Sequence, residues 1–90
     1  MARVVVLMRV FPSDASLQPS ELARRIREAL PSSFEVLAEG EEPVAFGLKV
    51  LKLAVAIPEE MEGGTEELER AVKSVDGVEE VEVESVSRMS

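Results

Sequence analysis

The side chains that most enzymes use for acid–base, nucleophilic or metal chemistry are scarce in this 90-residue sequence. It contains no cysteine, so neither thiol chemistry nor a disulfide framework is available. It contains no histidine, which removes the commonest general acid–base group and the usual zinc ligand. Carboxylates are numerous, but the pattern places no two of them on opposing elements as an acid–base pair. We therefore expect a protein that is not an enzyme and that needs no cofactor.

The segment 59–67 is the one place where the sequence suggests that a small ion could bind. Gly63 and Gly64 precede a predicted helix whose N-terminus could hold an anion, but the neighbouring glutamates would repel one. Those glutamates could attract Ca²⁺ or Mg²⁺, but their spacing matches no calcium-binding loop. The GxxxxGK(S/T) and GxGxxG phosphate-binding motifs are absent from the sequence. We interpret this segment as a solvated acidic loop with a flexible helix entry, and predict no metal site.

The stretch 43–57, PVAFGLKVLKLAVAI, is the segment around which the predicted fold is organised. Its only charges are Lys49 and Lys52, so the pattern predicts a buried strand from about Phe46 to Ile57 at the centre of a sheet. The pair Phe46-Gly47 at its start is unusual in a chain with three aromatic residues. Glycine inside a strand pattern often marks a bulge or the close approach of another backbone.

The remaining segments alternate between strand and helix periodicity. Apolar residues at every second position predict strands, and apolar stripes with helical spacing predict two one-sided helices. The order β-α-β-β-α-β predicts an α+β fold, the ferredoxin-like split βαβ sandwich, with a four-stranded antiparallel sheet and both helices on one face. The predicted strands are 3–11, 34–39, about 46–57 and 78–86; the predicted helices are 19–30 and the segment after an N-cap at Thr65; residues 40–43 are predicted as a connection.

The two faces of such a sheet have different expected roles. One face should pack on the helices, with a shared core of Leu22, Ile26, Leu53, Val55, Leu68 and Val72. The other face should stay open and carry apolar residues among charges, namely Val5, Leu7, Leu48 and Val50. Exposed apolar area of this kind marks a contact site in some proteins and is scattered surface in others, and both interpretations remain open.

Length and charge limit the partners. Ninety residues predict a single domain, 1–90. The net charge of −8 favours solubility or a basic protein partner, and it argues against direct nucleic-acid binding, which requires cations to replace phosphate counterions. The apolar run at 4–8 is too short for a signal sequence, and no stretch approaches the roughly 20 apolar residues of a membrane span. We expect a cytoplasmic protein that does not bind membranes.

The run PVAFGLKVLKL at 43–53, an acidic segment, GGT at 63–65 and VDGVEEVEVESVSRM at 75–89 together resemble the archaeal-type elongation factor 1-beta family over nearly the whole chain. Eukaryotic relatives have a similar stretch of the form G-(F/Y)-G-I-K-K-L. The resemblance implies the split βαβ fold and a guanine-nucleotide exchange factor. Its implied partner is elongation factor 1-alpha, the GTPase that delivers aminoacyl-tRNA, whose GDP release it would hasten.

The resemblance also implies a partner-binding set of Phe46, Gly47, Lys49 and Arg88. Two departures from the eukaryotic pattern concern this set. Val50 stands where eukaryotic members have a second lysine, and their lysine close to the C-terminus is absent here. Arg88 is the only cation near the end of the sequence and is expected to replace it on a short tail, although a guanidinium differs from an ammonium in size and hydration.

Two other functions are compatible with the predicted fold. One is a small regulatory or ligand-binding module that acts through its sheet face. The other is an acylphosphatase-like enzyme, which would need an arginine and an asparagine; the sequence contains no asparagine.

Overall fold

The computed structural model describes residues 3–59 and 64–89, and every structural statement below concerns those residues. They form β1 (Arg3–Pro12), α1 (Pro19–Ala29), β2 (Glu35–Pro43), β3 (Lys49–Pro58), α2 (Gly64–Lys73) and β4 (Val78–Met89). The strands form one sheet in the order β2-β3-β1-β4, and each neighbouring pair is antiparallel. The predicted α+β fold with the order β-α-β-β-α-β is confirmed.

The strand β3 lies between β2 and β1, which confirms its predicted central position. Its side chains alternate between the two faces, as strand geometry requires. The row from Leu51 to Ile57 at odd positions is buried against the helices. The even positions 50–56 face the opposite side, which we call the open face because neither helix covers it.

The core lies between the sheet and the two helices. All six side chains that the sequence predicted for it are buried there, together with the even positions of β1. A buried leucine or valine contributes about 1.5–3 kcal/mol relative to an exposed one, so this small core carries most of the stability. The six confirmed core residues are Leu22, Ile26, Leu53, Val55, Leu68 and Val72.

The helix α1 begins at Pro19 and ends at Ala29, two residues before Pro31. Pro19 occupies its first turn, where its missing N–H costs nothing, and Leu30 adopts an extended conformation before Pro31. In the first turn, Glu21 accepts side-chain hydrogen bonds from Arg24 and Arg25. These hydrogen bonds lower the pKa of Glu21 from 4.5 to about 2, and the bond from Arg24 has the larger effect.

Several predicted boundaries were wrong. The strand β2 continues through the predicted connection to Pro43, and β3 begins at Lys49 rather than at Phe46. The strand β4 continues to Met89 instead of ending near 86. The helix α2 begins at Gly64 and includes Thr65, which was predicted to precede it. Most of the predicted acidic loop, residues 60–63, lies outside the described residues.

The turn between α2 and β4 depends on Gly77. Its φ of +100° is a conformation that side-chain-bearing residues rarely adopt. A Cβ at this position would lie 2.7 Å from Leu17 Cδ2 and 2.9 Å from Arg25 Nη1. Gly77 O accepts a hydrogen bond from the Ser13 N–H at 2.8 Å, which ties this turn to the end of β1. Glycine is therefore required here by its conformation, because the two nearest atoms belong to the ends of flexible side chains that can move aside.

Candidate functional site

Residues 44–48, which we call the hairpin tip, connect β2 to β3. The Val44 N–H donates to the Leu48 carbonyl at 2.8 Å, and the Leu48 N–H donates to the Ala45 carbonyl at 3.4 Å. These bonds close a compact turn at one end of the sheet. Its central residues, Ala45–Gly47, form a short 3₁₀ turn rather than the start of a strand.

Phe46 occupies the apex of the hairpin tip. Its φ of 62° and ψ of 32° lie in the left-handed helical region, which costs a side-chain-bearing residue roughly 1–2 kcal/mol. Its ring is fully exposed, so no burial offsets this cost. Gly47 follows with a φ of +76° and open space around its α-carbon, so glycine is needed there for conformation and not for room. The hairpin tip therefore displays a strained, exposed aromatic side chain.

Lys49 is the first residue of β3 and lies at the same end of the molecule. Its Nζ is 3.4 Å from Glu41 Oε1, and both side chains are about half exposed. Exposed pairs of this kind contribute about 0–1 kcal/mol, so the ammonium can exchange Glu41 for another carboxylate at little cost. The structure thus brings together three of the four predicted site residues: Phe46, Gly47 and Lys49.

Arg88 lies at the opposite end of the sheet. The prediction that it sits on a short tail beyond the last strand was wrong, because it pairs in β4 with Val4 of β1. Its guanidinium forms an ion pair with Glu59, the residue that follows β3. The Arg88 side chain is nevertheless 70% exposed, so this pair leaves most of it open to solvent.

The two groups of predicted site residues are far apart. Arg88 is in register with Val4, and Val4 is in register with Ile57 near the end of β3. Lys49 starts the same strand, eight residues before Ile57, which corresponds to about 26 Å of strand at ~3.3 Å per residue. A single partner that touches both groups must therefore span most of the length of the sheet.

One part of the open face is closed by an ion-pair network around Arg9. Arg9 Nη2 lies 3.2 Å from Glu42 Oε1 on β2, and Arg9 Nη1 lies 3.2 Å from Glu82 Oε1 on β4. The guanidinium also lies 5.4 Å from the centre of the Phe11 ring, within the range of a cation–π contact. Because the Arg9–Glu42 pair crosses β3 at Val50, it explains why Val50 is fully buried.

The prediction of an exposed apolar row on the open face is therefore only partly correct. Leu7 is exposed there, but Val50 is fully buried beneath the Arg9 network. Val5 is half-buried on β1, and Leu48 is half-buried in the hairpin tip rather than in the strand. The apolar part of this face is thus narrower than the sequence pattern indicated.

Beside this network the open face has a shallow depression, which we call the open-face groove. Cross-strand pairing sets Leu7 beside Ala54, Ala54 beside Ala38 and Lys52 beside Gly40. The small side chains on β2 and β3 leave a volume of about 280 Å³ next to Leu7. A Lys52–Glu84 ion pair at 3.3 Å borders the groove. Sequence analysis missed the groove because its members are neighbours only through strand pairing. The lining residues are Leu7, Ala38, Glu39, Gly40, Lys52, Leu53, Ala54 and Glu84.

Residues 3–59 and 64–89 contain neither a metal-binding cluster nor a membrane-spanning helix. No cluster of three carboxylate, histidine or cysteine side chains is arranged to hold a metal ion. No helix in those ranges is both long and apolar enough to cross a lipid bilayer.

The fold and these surfaces define a small α+β domain whose distinctive groups are exposed side chains at the two ends of its sheet. Comparison with known proteins agrees with this class of domain and identifies the family to which it belongs. The EF-1 guanine nucleotide exchange domain family matches residues 5–89. The chain is 62% identical over 89 residues to an elongation factor 1-beta of Aeropyrum pernix, with 99% of each chain covered. It is 50% identical to the elongation factor 1-beta of Staphylothermus marinus, with 100% of each covered, and 36% identical to that of Sulfolobus acidocaldarius, with 96% of each covered.

The chain belongs to the EF-1 guanine nucleotide exchange domain family. The resemblance inferred from the sequence is thereby confirmed, and so is the role in guanine-nucleotide exchange during translation elongation.

Proposed function

We propose that this protein binds the GTPase elongation factor 1-alpha in the cytoplasm and accelerates the release of its GDP. The observation that carries the proposal is Phe46, an aromatic residue that is fully exposed and held in a left-handed conformation. Such a residue adds strain without adding to the core, and backbone strain of this kind clusters at functional sites. In a member of an exchange-domain family, the contact that it serves is the GTPase.

The proposed mechanism is thermodynamic linkage and requires no covalent chemistry. A factor that binds the nucleotide-free GTPase more tightly than the GDP-bound form must weaken GDP binding by the same ratio. No acid, base or nucleophile is needed for this effect, which agrees with a sequence that has neither histidine nor cysteine. We propose that the chain 1–90 acts as one exchange domain in this way.

At the hairpin end, we propose that the Phe46 ring enters an apolar pocket of the GTPase. Aromatic side chains dominate the binding energy of many interfaces because they bury a large rigid area. Gly47 supports this role by supplying the second positive φ of the turn. Lys49 would exchange its contact with Glu41 for a carboxylate of the partner.

At the opposite end, we propose that Arg88 acts on the nucleotide site of the GTPase. Its exposed guanidinium would leave Glu59 and approach the phosphates or the ligands of their Mg²⁺ ion. A cation placed there competes with Mg²⁺ electrostatically and loosens the nucleotide that the metal helps to hold. Because Arg88 is held in β4, its side chain rather than a flexible tail would make this contact.

The test is the release of a fluorescent GDP analogue from elongation factor 1-alpha in excess unlabelled GTP. We expect the wild-type protein to accelerate release, Lys49→Ala to reduce the effect and Lys73→Ala to leave it unchanged. Lys73 is a matched control because it is similarly exposed and its Nζ also lies close to one glutamate, 3.5 Å from Glu80 Oε1. If wild-type protein has no effect on release at any concentration, the proposal is wrong.

Arg88→Ala has its own control. Arg27→Ala removes another exposed arginine that pairs with a glutamate, Glu39, but on α1. We expect Arg88→Ala to slow GDP release while Arg27→Ala does not. Wild-type release rates with Arg88→Ala, in a protein that melts normally, would exclude Arg88 from the exchange step and leave the hairpin tip as the contact.

A further inference from the structure

The open-face groove is an unexplained feature of the surface. It lies on the sheet face that the helices leave uncovered, and its floor is made of small residues. Leu7 forms one wall of the groove and is 41% exposed. A polar residue at this position of β1 would not disturb the core. Neither the hairpin tip nor Arg88 uses this groove, so its apolar character needs a separate explanation.

The exposed apolar residues of the described chain are not spread evenly. The large ones lie on strands or at the hairpin tip, and the described parts of the two helices carry none. Leu37, also exposed, lies in the irregularity of β2 immediately before Ala38 of the groove. Phe46 is carried by the same β2–β3 hairpin as Gly40 and Ala54. The groove is therefore continuous with the hairpin that carries the proposed contact, about 17 Å along β3 from Lys49 to Ala54.

The charges of the open face favour one kind of occupant. This face carries five carboxylates, Glu35, Glu42, Glu80, Glu82 and Glu84, and three cations, Arg3, Arg9 and Lys52, each of which forms an ion pair with one or two of these carboxylates. The cations lie on the two inner strands and the carboxylates on the two outer strands. The carboxylates of this face exceed its cations by two, so an apolar side chain with a lysine or arginine on either side would match both the groove and the net negative charge of the face.

Two other occupants fit less well. A second copy of the chain would bring another net charge of −8 against the same acidic borders. A small-molecule ligand would lie in a shallow, open depression of about 280 Å³ and would bury little of its surface, whereas typical small-molecule sites are clefts that enclose most of the ligand. One or two protein side chains match this volume better.

We propose that the open-face groove is a second contact for elongation factor 1-alpha, and that it takes an apolar side chain of that GTPase flanked by basic residues. The inference rests on the proposed function, because it assigns a further surface to the same partner. It also implies that the partner covers the open face of the β2–β3 hairpin and not only its tip.

Gly40→Val is the sharpest test. A Cβ at Gly40 would meet no atom within 4 Å, and its φ is ordinary, so the new side chain fits the strand without strain. Valine also favours strands over glycine, so thermal stability should be unchanged or higher. The isopropyl group would nevertheless occupy the groove. Ala29→Val is the control, because Ala29 is exposed at the end of α1 on the other side of the sheet.

Binding to nucleotide-free elongation factor 1-alpha is measured by calorimetry, with thermal melts of each variant. We expect Gly40→Val to weaken affinity by about ten-fold or more and Ala29→Val to change it by less than about two-fold, as is typical of residues inside and outside an interface core. Leu7→Thr keeps a strand-favouring residue but removes the apolar wall, and should weaken affinity by several-fold.

The remaining outcomes separate this inference from the proposed function. If Gly40→Val binds and exchanges like wild type while Phe46→Ala fails, the groove is not a contact and the exchange proposal stands. If wild-type protein shows no binding to the GTPase at all, both are wrong. If Gly40→Val changes the oligomeric mass in sedimentation instead of GTPase binding, the occupant is a second copy and the inference is wrong.

Discussion

Replacing Phe46 should weaken binding to elongation factor 1-alpha while leaving the stability of the fold unchanged or raising it. The ring is fully exposed, so Phe46→Ala removes no buried area and should change the free energy of unfolding by less than about 0.5 kcal/mol. Phe46→Gly should stabilise the protein. Relief of the left-handed conformation should raise the free energy of unfolding by roughly 1–2 kcal/mol. The greater conformational freedom of glycine in the unfolded chain should lower it by about 0.4–1 kcal/mol. The net gain of roughly 0.5–1 kcal/mol corresponds to a rise in Tm of roughly 2–8 °C for a domain of this size.

Both substitutions should impair binding to elongation factor 1-alpha. Loss of an aromatic interface residue costs about 2 kcal/mol or more, which is about 30-fold in affinity. Urea and thermal unfolding measure the change in stability, and GDP release measures the loss of binding to the GTPase. Phe34→Ala is the matched control, because that ring is buried and its removal should cost about 3–5 kcal/mol. A loss of stability above about 1 kcal/mol for Phe46→Ala would refute this reasoning and place the ring in the fold.

Three further predictions concern the fold. Leu53→Ala should lower the free energy of unfolding by about 2–5 kcal/mol in denaturant melts, because Leu53 is buried between the sheet and the helices; a loss below 1 kcal/mol would contradict this. Gly77→Ala should cost about 1–2 kcal/mol in the same assay, since its φ of +100° is a conformation that residues with a Cβ rarely adopt; a neutral substitution would show that the turn can relax. Glu21 should titrate with a pKa of about 2 by NMR, so its stabilising effect is present above pH 4.5 and lost as pH falls toward 2; a value near 4.5 would mean that the arginine contacts are absent in solution.

The sequence was sufficient for the fold because periodicity and packing agreed at all six predicted core positions. The predicted core residues of α1, α2 and β3 are all buried, including Ile26, Val55 and Val72. Strand ends were harder to predict. Residues 40–43 have the composition of a turn, yet they extend β2 because an edge strand pairs on one side only and tolerates glycine and proline. Residues 40–43 belong to the strand because they pair with Leu51, Lys52 and their neighbours on β3. This cross-strand pairing cannot be read from the sequence pattern.

The candidate site was predicted by resemblance and only partly by pattern. Phe46 was assigned to the start of the strand because it lies in the apolar run that ends at Ile57, whereas the hairpin closes through two successive positive φ angles. Arg88 was assigned to a tail because the last strand was predicted to end at Val86, but pairing with β1 extends β4 to Met89. The open-face groove could not be predicted at all, because strand register alone brings Leu7, Ala38 and Ala54 together.

The most direct test of the proposed mechanism is a linkage measurement. The affinity of the protein for nucleotide-free elongation factor 1-alpha is compared with its affinity for the GDP-bound form by calorimetry. The affinity of the GTPase for GDP is then measured with and without saturating protein. We expect the affinity for the nucleotide-free GTPase to exceed the affinity for the GDP-bound form. We expect the ratio of these two affinities to equal the factor by which saturating protein lowers the affinity of the GTPase for GDP, as linkage requires. Equal affinity for both forms of the GTPase, with unchanged GDP binding, would contradict the account.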